Sequence, residues 1–203
     1  MQIKICGMTN RQDMEAAIEY GADAVGFILY PKSPRYVAPP VLAELTANAP
    51  PTVDRVAVGV NLSLGEIRGL EDSAFVDVWQ LHGTESPDLC KKLAPLRLVK
   101  TFGLPLAQKP DLDSYPVEAF LLDRASPHYG GTGEPFDWAL AVDFKQRSPK
   151  PIILSGGLTL ENVAQAVKMV QPYGVDVCSG VESAPGKKDH AKMKDFIQLC
   201  RQL

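Results

Sequence analysis

Short apolar runs rich in β-branched residues alternate along the chain with longer runs whose apolar residues recur at helical spacing. Residues 3–6 predict the first strand, and Met14, Ala17 and Ile18 form the apolar face of a first helix that Gly21 should end. Further strands are predicted at 24–29, 55–60, 77–81, 96–101, 118–122, 151–154 and 175–178. Helices are predicted at 11–20, 39–49, 64–70, 87–93, 136–144, 160–170 and 190–203.

Strands that alternate with helices predict βαβ units and a parallel sheet. Eight units fit a closed (β/α)₈ TIM barrel, and an open doubly wound sheet is the competing arrangement. The prolines of 102–116 exclude a full helix, so we expect the fifth crossover to be short or irregular. Ser63, Ser86 and Thr159 are the expected helix N-caps. Because no linker or low-complexity tract interrupts the pattern, residues 1–203 are predicted to form a single barrel domain.

Composition and charge narrow the class of protein. The 203 residues are 45% hydrophobic and 22% charged, with a net charge of −3 and both signs mixed along the chain. The chain has no basic stripe, so a nucleic-acid partner is not expected, and any attraction for an anion must be local. The four cysteines form no CxxC pair, and no run of 18 apolar residues occurs. We therefore expect a cytoplasmic protein with free thiols, no structural metal and no membrane partner.

Two predicted strands end in glycines. The seventh is followed by Gly156 and Gly157, and the eighth by Ser179 and Gly180. In (β/α)₈ barrels the chemistry lies at the C-terminal ends of the strands, and the loops after strands seven and eight frequently bind phosphate. Glycines let backbone N–H groups approach such an anion closely, although they also serve in plain tight turns. The sequence lacks a nucleotide-binding glycine motif, so a phosphate site without a nucleotide cofactor is predicted.

An acid and a base are candidates at two other strand ends. Cys6 ends the first strand, and Lys4, two residues earlier on the same face, could favour its thiolate. The alternative for Cys6 is a buried thiol that only packs. Asp123 ends the apolar run of the sixth strand, where apolar neighbours could raise its pKa as a general acid requires. The alternative for Asp123 is an ion pair with Arg124.

Other polar groups follow the strands. Arg35 comes after the second strand and could hold a substrate carboxylate, unless it is simply solvated. His82 ends the fourth strand and could be a site group or a structural histidine. Cys178 is expected to pack beside the phosphate loop, and Asp176 to be structural. A flexible loop that could fold over the substrate, or be a plain surface loop, is predicted at Gly130, Gly131, Thr132 and Gly133.

Seven motifs occur in order around these strand ends. They are KICGMT at 4–9, GFILYPKSPRYV at 26–37, QLHG at 80–83, LLDRASPHYGGTG at 121–133, FDW at 136–138, IILSGGLTLENV at 152–163 and GVDVCSGVES at 174–183. Together they resemble the phosphoribosylanthranilate isomerase family of tryptophan biosynthesis, over nearly the whole chain. The departure from the family pattern that bears on the site is Cys178, where the family often has another small or polar residue.

The resemblance implies an Amadori rearrangement of N-(5′-phosphoribosyl)anthranilate to 1-(2-carboxyphenylamino)-1-deoxyribulose 5-phosphate, an aldose–ketose isomerisation without a metal or organic cofactor. By this resemblance Asp123 protonates the ribose ring oxygen and Cys6 removes the proton from C2′. Arg35 would hold the anthranilate carboxylate. The phosphate would lie on the backbone at Gly156, Gly157, Ser179 and Gly180. The expected partner is a small phosphorylated anion, and the chain could be a monomer or a homodimer.

Two other functions compete with this interpretation. A related barrel isomerase of histidine biosynthesis uses, by family resemblance, a carboxylate where Cys6 stands, so the cysteine disfavours it. A non-catalytic barrel that binds phosphorylated metabolites would not need both Cys6 and Asp123. Both residues therefore favour the isomerase of tryptophan biosynthesis.

Overall fold

The computed structural model describes residues 1–47, 49–71, 75–126 and 136–203, and it confirms the predicted barrel. Eight parallel strands pair in sequence order, and the eighth closes onto the first. The strands are β1 (Gln2–Ile5), β2 (Ala24–Ile28), β3 (Asp54–Gly59), β4 (Val78–Leu81), β5 (Leu98–Leu104), β6 (Ala119–Arg124), β7 (Ile152–Leu154) and β8 (Gly174–Val177). Their C-terminal ends therefore meet at one mouth of the barrel.

The described residues contain seven α-helices, and these follow every strand except the fifth. They are α1 (Arg11–Glu19), α2 (Pro39–Ala47), α3 (Leu64–Glu71), α4 (Pro87–Lys92), α5 (Trp138–Arg147), α6 (Val163–Val170) and α7 (His190–Gln202). The fifth crossover carries only a 3₁₀ turn, Leu112–Ser114, as its prolines led us to expect. None of the described helices is long and apolar enough to cross a membrane.

Two of the expected N-caps are in place. The hydroxyl of Ser63 accepts a hydrogen bond from the backbone N–H of Glu66 (3.2 Å), and the Glu66 carboxylate accepts one from the N–H of Ser63 (2.7 Å). This reciprocal pair starts α3. At α4 the hydroxyl of Ser86 accepts from the N–H of Leu89 (3.3 Å). Local sequence therefore determines where both helices begin.

The prediction that Thr159 caps the sixth helix is wrong, because that helix begins only at Val163. Residues 160–162 form a turn instead. The side chain of Asn162 accepts from the N–H of Thr159 (2.9 Å) and donates to the carbonyl of Gly157 (2.8 Å). These two bonds fasten the turn to the glycine loop after β7.

A short hairpin that the sequence did not reveal follows β8. Its strands are β9 (Glu182–Ala184) and β10 (Lys187–Lys188), joined through Gly186 at a positive φ of 79°. Only glycine adopts this left-handed backbone without strain. The hairpin places two charged side chains beside the barrel mouth.

Small side chains line the barrel interior. Val56, Val78, Val99 and Ala119 lie in an apolar cluster that is separate from the larger core between strands and helices. Because these side chains are short, the interior also accommodates buried polar groups toward its C-terminal end, including Gln80.

Candidate active site

A cavity of about 260 Å³ opens at the C-terminal end of the strands. Four side chains that the sequence singled out line it together: Cys6, Arg35, His82 and Asp123. The candidate acid and the candidate base therefore face the same space, although they lie on β6 and directly after β1. A ligand in this cavity can contact both groups at once.

Cys6 is held at the end of β1 by the closure of the barrel. Its backbone N–H donates to the carbonyl of Val177 on β8 (2.8 Å). Its side chain lies close to the thiol of Cys178 and the ammonium group of Lys4. The neighbouring thiol of Cys178 and the charge of Lys4 outweigh burial and lower the pKa of Cys6 to about 6. These surroundings favour the thiolate form of Cys6.

Lys4 supplies a fixed positive charge inside the barrel. Its Nζ lies 2.9 Å from Oδ1 of Asp176, and both side chains are buried. Burial lowers the pKa of Lys4, but the negative charges of Asp176 and Cys6 raise it further, so that the net pKa lies above its ordinary value. Oδ2 of Asp176 accepts from the hydroxyl of Ser155 (3.4 Å). Asp176 thus keeps Lys4 charged and oriented beside Cys6.

Each carboxylate oxygen of Asp123 lies beside a nitrogen. Oδ1 accepts from the backbone N–H of Arg124 (2.7 Å), and Oδ2 lies 3.3 Å from Nε2 of His82. The other ring nitrogen of His82 faces the amide nitrogen of Gln80 (2.9 Å) and the hydroxyl of Thr101 (3.2 Å). With the Gln80 amide donating to Nδ1, the neutral imidazole carries its proton on Nε2, toward Asp123. Two donors are therefore ready to stabilise a carboxylate at this position.

Arg35 is buried in a charged cluster and is not a solvated loop residue. Its Nη2 lies 2.7 Å from Oε2 of Glu182, and its Nε donates to both carboxylate oxygens. The Nζ of Lys188, whose side chain is fully buried, lies 3.0 Å from Oε1 of the same glutamate. Two cations thus share one carboxylate, which leaves a net positive charge on this cluster of three side chains. Within the described chain, no acceptor takes a hydrogen bond from Nη1 of Arg35.

The glycine loops after β7 and β8 lie side by side. Gly156 and Gly157 both have positive φ, at 80° and 69°. Gly180 packs so closely on the loop after β7 that a Cβ there would overlap the carbonyl oxygen of Leu158. No acceptor among the described residues takes a hydrogen bond from the backbone N–H groups of Gly156, Gly157, Ser179 and Gly180. These four residues do not line the 260 Å³ cavity itself.

One sequence prediction falls outside the described residues. The loop residues Gly130, Gly131, Thr132 and Gly133 belong to 127–135 and stay a prediction. Among the described residues, no group of three or more His, Cys, Asp or Glu side chains is arranged to hold a metal ion.

The family model described as N-(5′-phosphoribosyl)anthranilate (PRA) isomerase matches residues 3–199 of this sequence. The chain belongs to the phosphoribosylanthranilate isomerase family. A family member from Geotalea uraniireducens is 44% identical and is covered to 99% by the whole chain. Membership confirms the resemblance that the strand-end motifs indicated.

Solved structures of phosphoribosylanthranilate isomerases superpose closely on the barrel. The structure from Thermus thermophilus has a TM-score of 0.90 at 33% identity, with 100% of this chain and 99% of the other covered. A second has a TM-score of 0.86 at 38% identity, with both chains fully covered. It is described as a complex with reduced 1-(o-carboxyphenylamino)-1-deoxyribulose 5-phosphate.

In this member of the phosphoribosylanthranilate isomerase family, three polar residues near the cavity were not assigned to the site from the sequence. Glu182 binds Arg35, Lys188 binds Glu182, and Cys178 lies beside Cys6 in the wall of the cavity. For Glu182 and Lys188, the sequence does contain a signal: two opposite charges on either side of a glycine, soon after the last strand of the barrel. For Cys178 the signal was its position, one residue beyond the strand that closes onto β1.

Proposed function

We propose that this protein isomerises N-(5′-phosphoribosyl)anthranilate to 1-(2-carboxyphenylamino)-1-deoxyribulose 5-phosphate in tryptophan biosynthesis. The observation that carries the proposal is that Cys6, with its lowered pKa, faces the same cavity as Asp123. The reduced ligand bound by a relative that is 38% identical corresponds to the product of this reaction. We also propose that the chain acts in the cytoplasm, as a monomer or a homodimer, without a nucleic-acid or membrane partner.

Asp123 is proposed as the general acid of the first step. It donates its proton to the ring oxygen of the ribose, the C1′–O bond breaks, and the nitrogen lone pair forms a C1′ iminium ion. The carboxylate left behind gains hydrogen bonds from Nε2 of His82 and from the backbone N–H of Arg124. These bonds strengthen as the negative charge develops on Asp123.

Cys6 is proposed as the general base of the second step. Its thiolate takes the proton from C2′, and the C–H electron pair forms the C1′–C2′ double bond while the iminium π electrons return to nitrogen. The resulting enolamine loses its hydroxyl proton and gains a proton at C1′, which gives the ketone. Substrate and product are therefore isomers, and no oxidant or reductant is consumed.

Arg35 is proposed to bind the anthranilate carboxylate. Glu182 occupies Nε and Nη2 on one edge of the guanidinium, so the Nη1 side remains to donate to a ligand in the cavity. Because Glu182 restrains the guanidinium through three hydrogen bonds, little side-chain entropy is lost when a carboxylate binds. Glu182 thereby positions Arg35 for the substrate.

We expect the Arg35→Gln variant to raise the KM for phosphoribosylanthranilate about 10- to 100-fold, because the substrate loses a charge-assisted hydrogen bond. Its kcat should change much less, because Arg35 does not touch the reacting atoms. The measurement is steady-state kinetics with the natural substrate and with the aniline analogue that lacks the carboxylate. Arg97→Gln, an ion-paired arginine at the opposite end of the barrel, is the control. An equal KM increase for both substrates would contradict this role.

The loops after β7 and β8 are proposed to bind the phosphate. The N–H groups of Gly156, Gly157, Ser179 and Gly180 belong to two adjacent loops and lack acceptors among the described residues. Backbone donors of this kind suit a phosphate because they converge without a side chain between them and the anion.

Gly180→Ala should raise KM by about tenfold or more, because the new Cβ overlaps the Leu158 carbonyl and displaces at least one phosphate donor. Inhibition by inorganic phosphate should weaken in parallel. Both are measured by initial-rate kinetics. The matched control is Gly65→Ala on α3, where a Cβ meets open space. If Gly180→Ala left both constants unchanged, the phosphate would have to lie elsewhere.

The experiment that tests the proposed function is a continuous fluorescence assay. The fluorescence of phosphoribosylanthranilate should fall when catalytic amounts of the protein are added, and the product should be the carboxyphenylamino ketone. A protein that binds the substrate but leaves its fluorescence unchanged would support the non-catalytic barrel instead. Turnover of the imidazole carboxamide substrate alone would support the isomerase of histidine biosynthesis.

A further inference from the structure

A buried ion pair lies next to the loop that carries His82. Nζ of Lys100 on β5 is 2.9 Å from Oε2 of Glu85, and the two side chains are 3% and 1% exposed. Neither is among the described residues that line the active-site cavity, and the proposed proton transfers use neither. Burying two charges is costly, and an apolar pair of similar size would often be at least as stable.

The ammonium group of Lys100 binds the backbone on both sides of His82. It donates to the carbonyls of Leu81 (3.3 Å) and Gly83 (2.8 Å). It also donates to the carbonyl of Thr101 (2.9 Å), the residue whose hydroxyl lies 3.2 Å from Nδ1 of His82. Lys100 therefore fixes both the backbone that carries the imidazole ring and one neighbour of the ring.

The carboxylate of Glu85 holds the same loop. Oε1 accepts hydrogen bonds from the backbone N–H of Gly83 (3.0 Å) and from that of Asn61 (2.8 Å), and Oε2 accepts from Gly83 as well (2.9 Å). The N–H of His82 itself donates to the carbonyl of Gly59, the last residue of β3 (2.8 Å). The loops after β3 and β4 are thereby fastened together around His82.

We propose that Glu85 and Lys100 are positioning residues that hold the ring of His82 between Gln80 and Asp123. Nε2 then stays beside the Asp123 carboxylate, where it can donate once ring opening has left that group charged. Nε2 lies 3.3 Å from Oδ2 of Asp123, and Nδ1 lies 2.9 Å from the amide nitrogen of Gln80. The first distance is already at the upper limit for a hydrogen bond, so a small displacement of the ring would lose the contact.

The effect on turnover rests on the proposed function, whereas the effect on the ring does not. Loss of the ring position should lower kcat about tenfold, the loss of one hydrogen bond to a charged group. KM should change little, because Arg35 and the glycine loops are held by other contacts.

The two charges have to be removed together. Glu85→Leu alone would leave the ammonium group of Lys100 buried without a counter-charge, which destabilises the fold for a reason unrelated to His82. Glu85→Leu combined with Lys100→Met gives neutral side chains of similar size that cannot bind the backbone. The matched control is Arg97→Met combined with Glu118→Leu, which removes an ion pair (3.1 Å) at the opposite end of the barrel.

The first measurement is the ¹⁵N–¹H spectrum of the His82 imidazole at about pH 8.5, above the ordinary range of a histidine pKa. Its signals are assigned by their loss in His82→Asn. In the unchanged and control proteins we expect the nitrogen shifts of one tautomer, with the proton on Nε2. In the variant without Glu85 and Lys100 the shifts should move toward the average of the two tautomers, because the ring is released from Gln80.

The second measurement is kcat and KM in the fluorescence assay, with Glu85→Leu and Lys100→Met introduced both into the unchanged protein and into His82→Asn. In the presence of His82 the two changes should lower kcat about tenfold. In the His82→Asn background they should lower it by no more than about twofold, since the group that they position is already absent.

Unaltered ring signals in the variant without Glu85 and Lys100 would overturn the proposal. An equal loss of kcat with and without His82 would also overturn it, because a merely structural role does not depend on that residue. Altered ring signals together with a loss of kcat that requires His82 support it. Altered ring signals, when the unchanged protein has no turnover, support the positioning and refute the proposed function, so the two failures are distinguishable.

Discussion

Replacing Cys6 with serine should lower kcat about 10²- to 10⁴-fold, the usual contribution of a positioned general base. The serine hydroxyl fills the same position but is not ionised near neutral pH, so it cannot take the C2′ proton. KM should change little, because Cys6 reaches the reacting carbon and not the carboxylate or phosphate. The measurement is the fluorescence assay at saturating substrate. Cys90→Ser, a buried cysteine on α4, is the matched control and should keep full turnover.

The pH dependence of kcat/KM tests the ionisation of Cys6 in a second way. Because Cys6 must be deprotonated to act as a base and its pKa is lowered to about 6, kcat/KM should fall below pH 6, tenfold for each further pH unit. Between pH 7 and 8 the acidic limb should be flat. An acidic limb centred near pH 8.5, the ordinary range of a free thiol, would contradict the charge assignment.

Replacing Asp123 with asparagine should also lower kcat about 10²- to 10⁴-fold. The amide keeps the size of the side chain and can still contact His82, but it has no acidic proton to give to the ring oxygen. Ring opening then becomes the slow step. The control is Asp143→Asn on α5, where an exposed aspartate pairs with Arg147. Turnover within a few-fold of the unchanged protein would remove Asp123 from the mechanism.

The barrel was predictable because each of its eight strands is a short apolar run. A strand that is buried on both faces has a continuous run of apolar residues in its sequence. The helices between such strands have apolar residues that recur at helical spacing. The fifth strand shows where this signal weakens. It runs to Leu104, beyond the predicted end at residue 101, and includes the buried Lys100. The ammonium group of Lys100 pairs with Glu85 (2.9 Å), a contact that an apolar pattern cannot reveal.

Cys6 and Asp123 were predictable as candidates because strand ends of a parallel barrel share one mouth. Lys4 was also predictable as a neighbour of Cys6, but the carboxylates that bind Arg35 and Lys4 were not. Glu182 meets Arg35 across 147 positions of sequence, and Asp176 meets Lys4 across 172. Such contacts depend on how β8 closes onto β1 and on where the hairpin after β8 folds. A charge pattern along a single chain carries no information about that closure.

In the proposed mechanism, Asp123 gives the first proton and Cys6 removes the second. The most direct test is the kinetic isotope effect on kcat with substrate deuterated at C2′. In Cys6→Ser, where C2′ deprotonation is the slow step, the isotope effect should rise above that of the unchanged protein. In Asp123→Asn, where ring opening is slow, it should fall close to unity. An isotope effect near unity in Cys6→Ser, or a large one in Asp123→Asn, would contradict the assignment of the two roles.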